Sequence, residues 1–197
     1  MKPSIFVSGF ARTGTTTMMR MLEAGGIPVL ADKRSTKDMG PHHPTGIYEL
    51  HDAGQLLLEK PATWTEGKAI KLVAQYMDFL PLDRPLKVLF MVRDVNEIVA
   101  SLLAMKVIWE NDPITAINNA RRLLRSWDVP FHDVHYHTLL KYPKSESARI
   151  ADFLELDLDI DAMAAVVDPK SRRKAFKDRD PELVTYEVDR NKLQVLG

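Results

Sequence analysis

Short apolar runs alternate with turn-forming clusters along most of this chain. Ile5-Phe6-Val7, bounded by Ser8-Gly9, is a compact β-branched and aromatic run suited to a buried strand. A glycine turn from Gly9 to Gly14 follows, then Thr15-Thr16-Thr17, then Met18, Met19, Met21 and Leu22 before Gly25-Gly26. The threonines offer an N-cap and the glycines a stop, which predicts a helix of about ten residues. Strand, glycine turn and helix in that order open a parallel α/β sheet.

Ile27–Leu30 reads as a second strand, and residues 32–45 as a loop long enough to carry function. Ile47-Tyr48-Glu49-Leu50 fits either the start of a helix or a short edge segment. Ala69–Ala74 reads as a strand, and Leu80-Pro81-Leu82 ends that region. Leu86–Val92 is almost continuously apolar, as central parallel strands are. Asp94, three positions before Glu97, makes a capping-box-like start for a helix carrying Val95, Ile98, Val99, Leu102 and Leu103. Asp112-Pro113 begins another, with Ile117, Ala120, Leu124 and Trp127 on one face. Val134-His135-Tyr136 reads as a strand and Ser145–Leu154 as a helix. Beyond Asp168 the chain turns basic, then polar, with no element assigned. The expected fold class is α/β, with three layers, a mostly parallel central sheet and a P-loop-like strand-turn-helix at the N-terminus. It is expected to be one domain over residues 1–197.

Composition narrows the function classes. The chain has 27 basic and 27 acidic side chains and no cysteine. A disulfide scaffold, thiolate metal sites and a cysteine nucleophile are thereby excluded. Neutrality argues against nucleic acid or an anionic membrane as partner. No apolar run approaches the roughly 20 residues that span a bilayer, so a cytoplasmic protein is expected. A homo-oligomer is left open.

Gly9-Phe10-Ala11-Arg12-Thr13-Gly14-Thr15-Thr16 has the frame of a Walker A loop, which cradles phosphate with backbone N–H groups at a helix N-terminus. A nucleotide triphosphatase needs lysine after the second glycine, and Thr15 stands there. A bare turn would need neither Arg12 nor three consecutive threonines.

Arg12-Thr13-Gly14-Thr15-Thr16 resembles the 5′-phosphosulfate loop of the sulfotransferases that use 3′-phosphoadenosine 5′-phosphosulfate (PAPS). The apolar strand followed by Arg93, with Ser101 eight residues later, is similar to the same family's 3′-phosphate signature. Val134–Leu140, Pro143 and Ile150–Leu154 resemble its late strand and helix, and Val167–Arg173 a basic segment of its bacterial members.

The resemblance implies transfer of a sulfuryl group from PAPS to a hydroxyl or amine of a small-molecule or glycan acceptor. Arg12, Thr13, Gly14, Thr15, Thr16 and Thr17 would hold the 5′-phosphosulfate, and Arg12 would stabilise charge on the bridging oxygen. Arg93 and Ser101 would take the 3′-phosphate in a pocket separate from the loop, with Arg172 or Arg173 assisting. A general base must also accept the acceptor's proton. Glu49, in Gly46-Ile47-Tyr48-Glu49, is preferred to Asp32, His42, His43 and Glu66 because it resembles a Gly-aromatic-aromatic-Glu segment of bacterial members. No metal is expected, since the transferred group bears one negative charge and no acidic set is evident. His135 and His137, alternating along a strand, lack a third ligand.

The chain departs from the family pattern in several places, the missing Lys-Gly-x-x-Gly segment of cytosolic members among them. Arg12 replaces the lysine of cytosolic members, Val73 stands where a histidine follows the lysine (here Lys71) by two residues, and Thr17 replaces a tryptophan. Two other readings stay open: a P-loop kinase or nucleotide hydrolase with a displaced lysine (Lys33, Lys37 or Lys71), and a non-catalytic nucleotide-binding protein.

Overall fold

A computed structural model describes residues 2–33, 35–37, 46–104 and 112–168 of the chain. In chain order the elements are β1 (Ser4–Ser8), α1 (Thr15–Ala24), β2 (Val29–Leu30), α2 (Ala53–Glu59), β3 (Ala69–Lys71), β4 (Leu86–Val92), α3 (Val95–Leu103), α4 (Pro113–Ser126), β5 (Phe131–His135), α5 (Tyr136–Lys141), α6 (Pro143–Leu154) and α7 (Ile160–Ala165). Two 3₁₀ turns, Ala62–Trp64 and Ala74–Phe79, flank β3.

All five strands are parallel, in the order β2-β3-β1-β4-β5. Successive side chains of a strand point to opposite faces, and here both faces are covered. Ile5, Val7, Leu89, Met91 and Val134 meet the methionines of α1 together with Leu139, Ile150 and Met163 of α5, α6 and α7. Phe6, Ile70, Val88 and Phe90 meet Leu57 of α2 and Ala120 and Leu124 of α4 on the other side. Helices on both faces of a parallel sheet make three layers. The chain leaves β1 for β2 and β3 on one side, then crosses to lay β4 on the other. That reversal opens a crevice at the C-terminal ends of β1 and β4, where open α/β sheets take ligands.

Several boundaries differ from expectation for identifiable reasons. β2 is only Val29–Leu30, because Pro28 has no N–H to give and Ile27 donates to Leu22 at the end of α1. β3 stops at Lys71. Leu72 and Ala74 still donate to the carbonyls of Val7 and Gly9, but the chain there bends into the 3₁₀ turn. Residues 46–50 form neither helix nor strand. β5 begins at Phe131, earlier than the polar pair His132-Asp133 suggests, because Asp133 pairs with Arg121 of α4. Tyr136 opens α5, so His135 and His137 do not share a strand face. α6 begins two residues early, at Pro143, while α2 and α7 were not foreseen. Among the described residues no helix is long and apolar enough to cross a membrane.

Candidate active site

The turn between β1 and α1 is shaped by two glycines that have no room for a side chain. Gly9 has φ +130°, and a Cβ there would lie 2.7 Å from both the Met91 carbonyl oxygen and Thr13 Oγ1. Gly14 has φ +104°, and its Cβ would meet the Tyr136 ring at 2.6 Å. Between them, the N–H and hydroxyl of Thr13 both donate to the Phe10 carbonyl, at 3.2 and 2.7 Å, which closes the turn. Thr13 is fully buried and shapes the loop from within. Gly14 is itself the N-cap of α1, not a threonine as expected, and makes no side-chain cap bond. The first turn carries no acidic residue. The positive end of α1 is thereby left to an anion.

Arg12 stands in this turn with φ +72°, a left-handed conformation for a residue with a side chain. Both its ends are held from β4 and α3. Its Nε donates to Ser101 Oγ at 3.0 Å, and its carbonyl accepts from Arg93 Nη1 at 2.9 Å. Arg93 and Ser101, the expected 3′-phosphate residues, therefore both contact Arg12 of the loop. Ser101 is buried on α3, beside Ile98 and Leu102, which pack on Phe10.

Arg93 follows the last residue of β4. Its Nε donates to Glu97 Oε2 at 2.9 Å, and its guanidinium lies 4.6 Å over the Tyr136 ring. The capping box is only half made. Asp94 accepts from the N–H groups of Asn96 and Glu97, but the Glu97 side chain turns to Arg93 and to Nε2 of His137, 3.0 Å away. Arg93 precedes the N-cap of α3, so its pair with Glu97 ties the end of β4 to the first turn of the helix. The approach of His137 depends on α5 packing against β5, and no local pattern announces it.

Glu49 lies on the β3 side of the loop. Its carboxylate is 3.1 Å from Lys71 Nζ, at the C-terminal end of β3, and its side chain keeps 56 % of its exposure. The backbone that carries it is pinned. The Ile47 carbonyl accepts from Lys71 Nζ at 2.5 Å and from Thr16 Oγ1 at 3.2 Å, while the N–H groups of Ile47 and Tyr48 donate to the Ser35 carbonyl. The Tyr48 hydroxyl donates to Glu23 of α1 at 2.6 Å. Burial, with the Glu23 carboxylate adding to it, pushes that phenol up to about 12. Burial also pulls the Lys71 ammonium below its usual range; Glu49 works against the shift and Arg12 adds to it.

The remaining candidates divide. Asp32 accepts from the His51 N–H at 2.8 Å, and Thr15 and Thr17 begin α1 in the loop. Glu66 accepts from the Lys2 N–H at 2.7 Å, at the opposite end of the sheet, and has no access to the loop. Lys33 and Lys37 are exposed. His42, His43, Arg172 and Arg173 lie outside the described residues.

No family model matches this chain. No curated protein matches it. Solved structures do. A sulfotransferase of Mycobacterium tuberculosis H37Rv superposes with a TM-score of 0.56 at 19 % identity, covering 93 % of this chain and 75 % of its own. A sulfotransferase of Alicyclobacillus acidocaldarius gives 0.52 at 15 %, over 98 % and 90 % of the two chains. The sulfotransferase domain of the Synechococcus PCC 7002 olefin synthase gives 0.50 at 16 %, over 94 % and 83 %. The chain has a sulfotransferase-like fold.

Proposed function

We propose that this protein is a sulfotransferase, moving a sulfuryl group from PAPS to a hydroxyl or amine of an acceptor. The observation that carries the reading is the convergence of Arg12, Arg93 and Ser101 on one loop at the C-terminal ends of β1 and β4. The lysine a nucleotide triphosphatase places after the second glycine is Thr15 here. A cradle that excludes a Cβ at Gly9 and Gly14, together with an uncapped α1, fits a phosphate or phosphosulfate approached by backbone N–H groups.

Sulfuryl transfer is mostly a matter of position and charge. In this reading the α1 amides and Arg12 hold the 5′-phosphosulfate, and Arg12 answers the charge that grows on the bridging oxygen as it leaves. Arg93 and Ser101 hold the 3′-phosphate. Glu49 takes the acceptor's proton, once the acceptor lies between its carboxylate and the donor. The S–O bond to the leaving phosphate breaks as the S–O or S–N bond to the acceptor forms, and adenosine 3′,5′-bisphosphate departs.

A thermal melt without any acceptor tests the donor site. Adenosine 3′,5′-bisphosphate at about 100 times its dissociation constant should add roughly 2.7 kcal/mol, or about 5–10 °C, without magnesium. ATP at equal concentration should add much less. If ATP with magnesium stabilises more than the bisphosphate, phosphoryl transfer displaces this reading. Strong bisphosphate binding with no transfer to any acceptor in a broad screen would leave a nucleotide-binding protein without the reaction.

A further inference from the structure

Glu97 and His137 have no part in the scheme above, yet they adjoin Arg93. One oxygen, Glu97 Oε2, takes the Arg93 Nε–H at 2.9 Å and lies 3.0 Å from His137 Nε2. Nε2 of His137 thus faces that oxygen, and Nδ1 is the ring nitrogen turned away from it. Glu97 is nearly enclosed at 13 % exposure, whereas His137 keeps 42 % and is open to solvent. The Glu97 charge opposes any phosphate brought to Arg93, and that opposition is strongest in a partly buried site.

We infer that His137 is a proton-linked member of the anion subsite at Arg93. When a nucleotide phosphate binds there, a proton from the buffer adds to Nδ1, and the imidazolium offsets the charge of Glu97. The inference rests on reading Arg93 as the 3′-phosphate ligand. The ionisable groups around the ring are consistent with this role. Glu97 faces it from α3, Arg93 and Asp94 lie at the end of β4, and Arg12 in the loop is tied to Arg93. His135 precedes it at the end of β5, and Tyr136 and Lys141 share its helix. On α6, Lys144 is paired with Asp161 and Glu146 with Arg149. Glu97 is the carboxylate in contact with the imidazole.

The test is proton NMR of the histidine Cε1–H signals, with H137N identifying the His137 signal among the six histidines of the chain. The midpoint of that signal should rise by about one pH unit on saturation with adenosine 3′,5′-bisphosphate, and not with adenosine 5′-monophosphate. By linkage, the gain in bisphosphate affinity from about pH 8 to about pH 6 should be roughly tenfold smaller in H137N than in the parent, the ligand's own titration being common to both. H137Q should repeat the H137N result, which separates loss of the titrating ring from local misfolding. If the bisphosphate stabilises the protein while the His137 midpoint stays fixed, His137 is not part of the subsite and the donor reading survives. An equal rise with adenosine 5′-monophosphate overturns the assignment to the 3′ end. If the bisphosphate does not bind, both the inference and the donor reading fall.

Discussion

The carbonyl of Arg12, in a left-handed conformation at φ +72°, is held by Nη1 of Arg93 at 2.9 Å. A residue with a Cβ pays roughly 1–2 kcal/mol to sit there, and a charged donor returns about as much. The same guanidinium reaches Glu97 through Nε and covers the Tyr136 ring. Arg93 thus shapes the loop before it can touch any ligand.

Arg93→Lys separates shape from charge. A lysine has one nitrogen and cannot reach both the Arg12 carbonyl and Glu97. The variant should lose about 1–3 kcal/mol in urea unfolding, since one of the two acceptors goes unmet. The bisphosphate should then stabilise it little more than adenosine 5′-monophosphate does. Parental stability together with the parental ligand preference would show that the fork geometry is immaterial.

Gly9→Ala tests the cradle. The added methyl group would sit 2.7 Å from the Met91 carbonyl oxygen, which belongs to a central strand and cannot swing aside, at a φ that alanine resists. A loss of about 2–4 kcal/mol is expected by chemical denaturation. Wild-type stability would mean that the turn can relax, and the cradle would not be fixed.

Arg12→Ala should lower kcat by more than it raises the donor KM, because its charge matters most as the bridging oxygen leaves. Stability should fall by about 1–3 kcal/mol, because buried Ser101 loses its donor, while the left-handed backbone and its bond from Arg93 remain. A raised KM with kcat intact would reduce Arg12 to an anchor.

The centre of the sheet is legible in the sequence because β1 and β4 are buried on both faces, while the edge strands β2 and β5 are only half-buried. Leu86–Val92 was bounded correctly, and α1 kept its ten residues between Gly14 and Gly25. Failures came where tertiary contacts outweigh local pattern. The Asp133 pairing with Arg121 lets a polar stretch serve as a strand. The segment from Gly46 to Glu49 has no periodicity, because its order comes from Ser35, Lys71 and Thr16 and not from its own hydrogen bonds. Glu97 looked like half of a capping box because spacing cannot tell which way a carboxylate turns. Arg12, Arg93 and Ser101 were visible as separate motifs, but their direct contact was not, since it depends on how α3 packs on the loop through Phe10.

Glu49→Gln carries two expectations that can be measured apart. As general base, Glu49 should be worth roughly 10²-fold in transfer at unchanged bisphosphate affinity. If Asp32→Asn has that effect and Glu49→Gln does not, the base is misassigned. The second expectation needs no substrate. Burial pulls the Lys71 ammonium below the ordinary lysine value of 10.5, and Glu49 is the group that resists. Where the folded lysine titrates below the unfolded one, the unfolded chain binds more protons in the interval between them, and stability rises with pH across it. Removing the Glu49 charge lowers the folded value further and widens that interval downward. The variant should therefore be less stable than the parent at neutral pH, while Lys71 is charged in the parent. The deficit should shrink as pH climbs toward the ordinary lysine range, where Lys71 becomes neutral in both proteins and the lost attraction no longer matters. Melting temperatures of the two proteins, followed from neutral to alkaline pH, give the sign directly. A deficit that stays constant or grows with pH would mean that Glu49 supports the fold by something other than its charge on Lys71.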